Sequence, residues 1–531
     1  MRNRENGALM IRILALGGAV ALSALIVDAI RDSATAKQNS PLAQTQNGPV
    51  GGKMEAGQAV FLGIPYAAPP VGNLRWRAPE PAGRWNETFD ATNFGASCVQ
   101  DYDIGPTAED CLTLNIWAPE WPPGEAKAVM VWFHGGGDAS GGTALRAYWG
   151  DSLARRDVIV VSVNYRLGPI GFVALPELSA ESPHGASGNY GLLDQIAALR
   201  WVRENIAAFG GDPNRVTAWG QSAGAANIER MMVSPLAEGL FQRAIAESGA
   251  ARRLDPTLEQ QEAACAQALA GLNAPEETRL GFLRSLPADT ILRGFNRGEC
   301  RPLNLEGYAL PEQNIKVWAE GHQHPVPFLI GNTARESFDD LSLAQLKSEI
   351  ELKYAEFAPR AFELYGLTGA SMPEPHPLYG TANIQWGADI DNRCRHTAQA
   401  ISHADAGHPI FQYEFERQLP GQRLNSNMHS NEVYWVFGLV NLDAFGRFSD
   451  DDRALGAEIQ AYWTNFAKTG DPNGAGLPEW ERFTEAGRGY MAFDETGANP
   501  GNGLRRAYCD LFLKVEAARP TWLHPERSAN W

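Results

Sequence analysis

The hydropathy pattern divides the chain into short apolar runs and longer stretches of helical period. Val129-Met130-Val131-Trp132-Phe133 and Val158 to Val163 are nearly continuous in apolar residues. A run of that length and composition predicts a strand covered on both faces. Between Asn189 and Phe209, Leu192, Leu193, Ile196, Leu199, Trp201, Val202 and Ile206 recur at spacings of three and four, and Gly210-Gly211-Asp212-Pro213 follows. That predicts an amphipathic helix with a sharp stop. Val216–Trp219, Arg243–Glu247, Pro327–Ile330 and Ile410–Phe415 read as further strands. Gly220 to Ser234 reads as a turn and helix, and Asp452 to Lys468 as a late helix stopped by Gly470-Asp471-Pro472. Strands separated by helices imply an α/β protein with a mainly parallel central sheet and helices on both faces. Past residue 52 the sequence holds no internal repeat and no low-complexity stretch. Residues 53–531 therefore read as a single large domain.

The N-terminus departs from this pattern. Arg2, Arg4 and Arg12 precede an apolar run from Ile13 to Val27, and Ala34-Thr35-Ala36 follows. The run is short for a membrane span of about 20 residues but suits the core of an export signal. Residues 1–36 are read as a signal peptide and 37–52 as a polar, flexible tether. Met10 is an alternative start, and an uncleaved anchor the alternative to cleavage. After signal removal no stable membrane span is expected. The placement implied is periplasmic or secreted.

Composition narrows the function classes. The formal net charge is −17, spread along the chain, which opposes binding to nucleic acid. Six cysteines in an exported chain suggest disulfides. They allow 15 pairings, and Cys98 and Cys111 are close enough in sequence for a local clip. His322-Gln323-His324 lacks a neighbouring carboxylate or cysteine at ligand spacing and reads as a plain loop.

Two glycine-rich segments carry candidate chemistry. Gly220-Gln221-Ser222-Ala223-Gly224 matches G-x-S-x-G and sits between a strand and a helix. A short motif alone is weak, but that setting is the one a nucleophilic serine needs, on a sharp turn clear of the sheet. His134-Gly135-Gly136-Gly137 follows the Val129–Phe133 strand directly. Backbone N–H groups in such a loop reach a developing oxyanion without steric hindrance. Gly136, Gly137 and Ala223 are the expected donors, and His134 is read as a structural hydrogen-bonder.

With these segments the chain closely resembles the type-B carboxylesterase and cholinesterase-like family, from about Val60 to Leu513. The resemblance rests on FLGIPYAAPPVGNLRWRAP (Phe61–Pro79), EDCLTLNIWAP (Glu109–Pro119), VWFHGGG (Val131–Gly137), VVSVNYRLGPIGF (Val160–Phe172) and the long segment Gly188–Ala225. It implies the α/β-hydrolase fold, with large loop and helical insertions, and a triad in the order serine, acid, histidine. Glu336, in Gly331-Asn332-Thr333-Ala334-Arg335-Glu336, resembles the family's acid, with Asp339 and Asp340 as nearby substitutes. His429, in His429-Ser430-Asn431-Glu432-Val433-Tyr434-Trp435-Val436-Phe437-Gly438, resembles its histidine segment. The implied activity is hydrolysis of a small-molecule carboxylic ester through an acyl-enzyme, with no metal or organic cofactor. The resemblance also implies pairs Cys98–Cys111 and Cys394–Cys509; Cys265 and Cys300 remain, with their pairing open.

Two positions depart from the family's commonest pattern. Gln221 stands where Glu usually precedes the nucleophile, and Asp138 where an aromatic or apolar residue usually follows the glycines. Arg252 and Arg253 follow Glu247-Ser248-Gly249, a segment the family places near the active site. A lost carboxylate and two gained guanidiniums suggest bulky esters bearing carboxylates, because arginine's planar fork matches that group. Asp138, Gln221, Arg252 and Arg253 are therefore candidate substrate-binding residues. The competing readings are a lipase on the same fold, with residues 270–325 and 340–385 as a lid, and a catalytically inactive binding module.

Overall fold

The computed structural model describes residues 40–249, 254–298, 300, 302–337, 340–418 and 428–519. The proposed signal peptide lies outside the described residues.

An 11-stranded sheet forms the centre. Its strands are β1 (Lys53–Glu55), β2 (Gln58–Pro65), β3 (Thr113–Ala118), β4 (Lys127–Phe133), β5 (Ile159–Val163), β6 (Gly211–Gln221), β7 (Arg243–Glu247), β8 (Phe328–Thr333), β9 (Ile410–Phe415), β10 (Gly489–Asp494) and β11 (Gly497–Asn502). The spatial order is β11-β10-β9-β8-β7-β6-β4-β5-β3-β2-β1. Parallel pairing runs unbroken from β5 through β4 and β6 to β10. The antiparallel pairings sit at the two ends, where β3, β2 and β1 close one side and β11 the other. This is the α/β-hydrolase architecture the sequence implied.

The continuous apolar runs are explained by strand alternation, which sends successive side chains to opposite faces. On one face Val129, Val131, Phe133, Val161 and Val163 pack with Leu192, Ile196, Leu199 and Val202 of helix α1 (Tyr190–Asn205). On the other, Met130, Trp132, Val160 and Trp219 pack in one cluster with Leu455, Ile459, Trp463 and Phe466 of the late helix Asp450–Thr469. That helix starts two residues earlier than expected. Ser449 and Asp452 form a reciprocal cap there, and Gly470 ends it at φ 82°.

Residues 40–52 correct the expectation of a flexible tether. Leu42–Gln44 pairs with Pro49–Gly51, Ala43 and Val50 are buried in the first cluster, and Gln46 N–H donates to Asn205 Oδ1 at 2.8 Å. Two small apolar residues that face each other across the strand pair fasten an otherwise polar stretch. Three disulfides join Cys98–Cys111, Cys265–Cys300 and Cys394–Cys509.

Candidate active site

Ser222 sits between the end of β6 and the start of helix α2 (Ala223–Met231), at φ 57° and ψ −123°. The flanking glycines are required by how closely that helix crosses the sheet. A Cβ on Gly224 would lie 2.1 Å from the Phe133 carbonyl oxygen, and one on Gly220 would lie 2.7 Å from the Gly224 carbonyl carbon. The turn is tied to β7 by Ser222 N–H donating to the Glu247 carbonyl at 2.8 Å. A left-handed, non-glycine residue held in this way is strained backbone, and its side chain stands off the sheet edge.

Three distant segments meet at this serine. Ser222 Oγ lies 2.8 Å from His429 Nε2, and His429 Nδ1 is hydrogen-bonded to Glu336 Oε2. A short parallel bridge between Arg335 and Met428 brings the next residues, Glu336 and His429, alongside each other. The other Glu336 oxygen accepts from Thr333 N–H at 2.6 Å, Thr333 Oγ1 at 2.9 Å and Ser248 Oγ at 2.6 Å. Burial alone would raise this carboxyl. The His429 charge and these hydrogen bonds outweigh it and hold Glu336 at about 2. Burial opposes charge on His429, but the Glu336 carboxylate prevails and raises the imidazole above its ordinary value. The pairing fixes the tautomer, with the proton on Nδ1 and the Nε2 lone pair facing Ser222. Such an arrangement can take the serine proton as the oxygen attacks an electrophile.

The glycine loop lies against the serine. A Cβ on Gly135 would fall 2.8 Å from Ser222 Cβ. Gly136 and Gly137 adopt φ 108° and 63°. Their carbonyls are engaged: Gly136 accepts from Ala139 N–H and Ser140 N–H, both at 3.1 Å, and Gly137 from Arg297 Nη2 at 3.2 Å. Ala223 opens α2, so its N–H has no intrahelical acceptor. His134 is buried, and burial lowers its pKa to about 4. As the neutral ring it donates from Nδ1 to the Gly135 carbonyl at 2.8 Å and stacks on Tyr165 at 4.6 Å. That is a structural role beneath the loop, as read from the sequence.

The substrate-binding candidates separate. Gln221 is buried, with Nε2 3.4 Å from His429 Nε2. Asp138, at φ 56°, is buried and accepts from Asn227 Nδ2 of α2 at 2.8 Å, while its carbonyl accepts from Gly168 N–H at 2.7 Å. Arg252 and Arg253 lie outside the described residues.

Sequence reasoning missed a second layer of acid groups. Ser248 Oγ also lies 3.2 Å from Glu432 Oε1. Glu247 Oε1 accepts from Trp219 Nε1 at 2.7 Å and Trp463 Nε1 at 2.6 Å. Burial is the main cause that raises both carboxyls, Glu247 to about 7 and Glu432 well above the usual range, with Glu247 and Glu336 adding repulsion on Glu432. Glu432 falls inside the histidine segment and Glu247-Ser248 beside the arginines, but nothing local in the sequence shows that they converge.

The model of the carboxylesterase family matches residues 39–364 and 379–512. A fumonisin B1 esterase from Sphingopyxis macrogoltabida is 35% identical over 482 residues, covering 87% of this chain and 88% of its own. The para-nitrobenzyl esterase of Bacillus subtilis is 34% identical over 491 residues, covering 85% and 94%. A human cocaine esterase is 33% identical over 504 residues, covering 84% and 86%. Among solved structures, a PNB esterase superposes with a TM-score of 0.78 at 34% identity, covering 88% of this chain and 99% of its own.

Proposed function

The chain belongs to the carboxylesterase family and is a carboxylic ester hydrolase, and from that premise we propose that Ser222, His429 and Glu336 are its catalytic triad. Ser222 Oγ attacks the ester carbonyl while His429 Nε2 takes its proton. Glu336 keeps the imidazole in the useful tautomer and stabilises its charge. The oxyanion is held by the N–H groups of Gly136, Gly137 and Ala223. His429 then protonates the departing alcohol, leaving the acyl group on Ser222. Water enters, gives its proton to His429, and attacks the acyl carbon. The acid leaves as Ser222 recovers its proton. Every proton and electron pair is accounted for by substrate, water and these side chains.

The observation that carries this reading is the unbroken relay from Ser222 Oγ at 2.8 Å to His429 Nε2, and from His429 Nδ1 to Glu336. Labelling with a fluorophosphonate tests it. The wild type becomes covalently modified on Ser222 and loses p-nitrophenyl esterase activity, while Ser222→Ala neither labels nor turns over. Labelling of the variant at the wild-type rate would refute the assignment of Ser222, and a wild type that does not label would revive the inactive-module reading.

A finer reading is that the substrates are bulky esters bearing carboxylates. Gln221 leaves no charge beside the nucleophile, Arg252 and Arg253 follow the β7 segment that carries Ser248, and a relative named for fumonisin B1 matches most of the chain. Export fits the three disulfides, and among the described residues no helix is long and apolar enough to cross a membrane. Cleavage after a leader ending near residue 36, and folding of 53–531 as one unit, belong to the same reading.

A further inference from the structure

We infer that Arg297 is a specificity-determining residue of this site, the guanidinium that receives a carboxylate carried by the substrate ester. The inference rests on the ester-hydrolase reading above and names a residue that the sequence did not single out.

Four observations carry it. First, Arg297 Nη2 donates to the Gly137 carbonyl at 3.2 Å. The charge therefore stands directly behind a peptide of the loop that packs on Ser222. Second, Arg297 is exposed, and it forms no ion pair with any described carboxylate. One bond to a neutral carbonyl leaves most of the five N–H donors of the fork available.

Third, the position is built. Cys300 N–H donates to the Arg297 carbonyl at 2.8 Å, and Asn296 N–H to the Ala268 carbonyl at 2.9 Å. Cys300 is in turn bonded to Cys265 on helix α3 (Leu258–Ala268). A staple and two backbone bonds thus hold the segment on either side of Arg297, which lowers the cost of ordering its long side chain against a ligand. Fourth, Gln221, the side chain before the nucleophile, is neutral and so does not repel an anionic substrate, and guanidinium pairs with carboxylate through two parallel hydrogen bonds.

The test uses two matched pairs of esters. Mono-p-nitrophenyl adipate against p-nitrophenyl hexanoate places the carboxylate on the acyl side. 4-Acetoxybenzoate against phenyl acetate places it on the leaving side. The readout is the ratio of kcat/KM, anionic over neutral, in each variant relative to the wild type. Any general disturbance of the Gly137 loop cancels from that ratio. In at least one pair, Arg297→Ala should lower the ratio about five- to ten-fold, mainly through KM, as for loss of a charge-assisted contact. Arg297→Glu should lower it further and Arg297→Lys should keep part of it. Added salt should narrow the wild-type ratio. Ratios within about two-fold of the wild type in both pairs, for both Ala and Glu variants, would overturn the role of Arg297 while leaving the esterase standing. A wild type that hydrolyses none of the four esters would instead refute the hydrolase reading itself.

Discussion

Glu336 and Glu247 are both buried acids at the C-terminal ends of neighbouring parallel strands, yet their surroundings push them in opposite directions. Glu336 is held at about 2, by the charge of His429 above all, against the effect of burial. In the proposed mechanism its influence on His429 sets the pH dependence of turnover: a base must be neutral, and the pKa of His429 is raised, so kcat/KM should fall as the pH drops through a value above the ordinary 6.5. Glu336→Gln removes the charge that raises the imidazole and leaves only the burial that lowers it. The acid limb of the pH–rate profile should then move below pH 6.5, and the plateau should fall about 10⁴-fold through loss of the tautomer. An unmoved limb would show that another group titrates there. Glu247, raised to about 7 by burial, speaks to stability instead. An acid whose folded pKa exceeds its unfolded value contributes fully below about 4.5, and that contribution is lost as the pH rises through about 7. Melting temperatures of the wild type should therefore decline across that window. Glu247→Gln keeps an acceptor for Trp219 and Trp463 but no longer titrates, so its decline should be shallower; an identical slope would assign the effect elsewhere.

The elements that position these residues differ in how far the sequence discloses them. β4, β5, β7 and α1 were legible because burial on two faces, or along one helical stripe, writes itself into consecutive residues such as Val129–Phe133 and Leu192–Val202. The antiparallel ends, β1, β2, β3, β10 and β11, were not. β1 has three residues, β3 mixes Thr113 and Asn115 with apolar positions, and β11, with Gly497, Pro500 and Gly501, resembles a turn; β2, apolar from Ala59 to Leu62, carries the same signal as β4 and was passed over because it lies within a motif read for its resemblance. The proposed triad was legible only through motif resemblance, since Glu336 and His429 are joined by a bridge between segments 93 residues apart. Ser248 and Arg297 escaped for the same reason: their partners lie 88 and 160 residues away, and no spacing rule reaches that far. The glycine loop yields a sharp prediction at this scale. A Cβ on Gly136 would sit 2.1 Å from the Ser140 carbonyl oxygen at a backbone φ of 108°, so the whole turn must shift. Gly136→Ala should lower kcat about 10²–10³-fold, as for loss of one oxyanion donor. At Gly137 a Cβ meets nothing within 4 Å, so Gly137→Ala should cost less. Steady-state kinetics on one p-nitrophenyl ester compare the two, and equal losses would mean that flexibility rather than space governs the loop.

At the scale of the molecule, the disulfides fasten what the sheet does not. The two face clusters enclose the sheet, but a third cluster joins Leu346, Ile350, Tyr354 and Trp386 to Phe512 and Val515, and a fourth joins Trp76, Ile170 and Tyr190 to Leu283 and Ile291. Cys394–Cys509 lies in the third and Cys265–Cys300 in the fourth. The loops they close span 115 and 35 residues, against 13 for Cys98–Cys111. Restricting the unfolded chain is worth more for a longer loop, about 3 kcal/mol near 15 residues and about 5 kcal/mol near 100. Replacing Cys394 and Cys509 together with Ala should therefore lower the unfolding free energy most, and replacing Cys98 and Cys111 least, as read from urea denaturation of the oxidised protein. The pair at Cys265 and Cys300 should show a different signature, because its loop carries Arg297. Its removal should widen KM for anionic esters as well as lower stability. The same reasoning couples stability to compartment. Protein made without residues 1–36 in a reducing cytosol should carry six titratable thiols and melt well below the oxidised form. If the reduced and oxidised proteins unfolded at the same urea concentration, the satellite clusters would be holding themselves, and the proposal of export would lose the support it draws from these bonds.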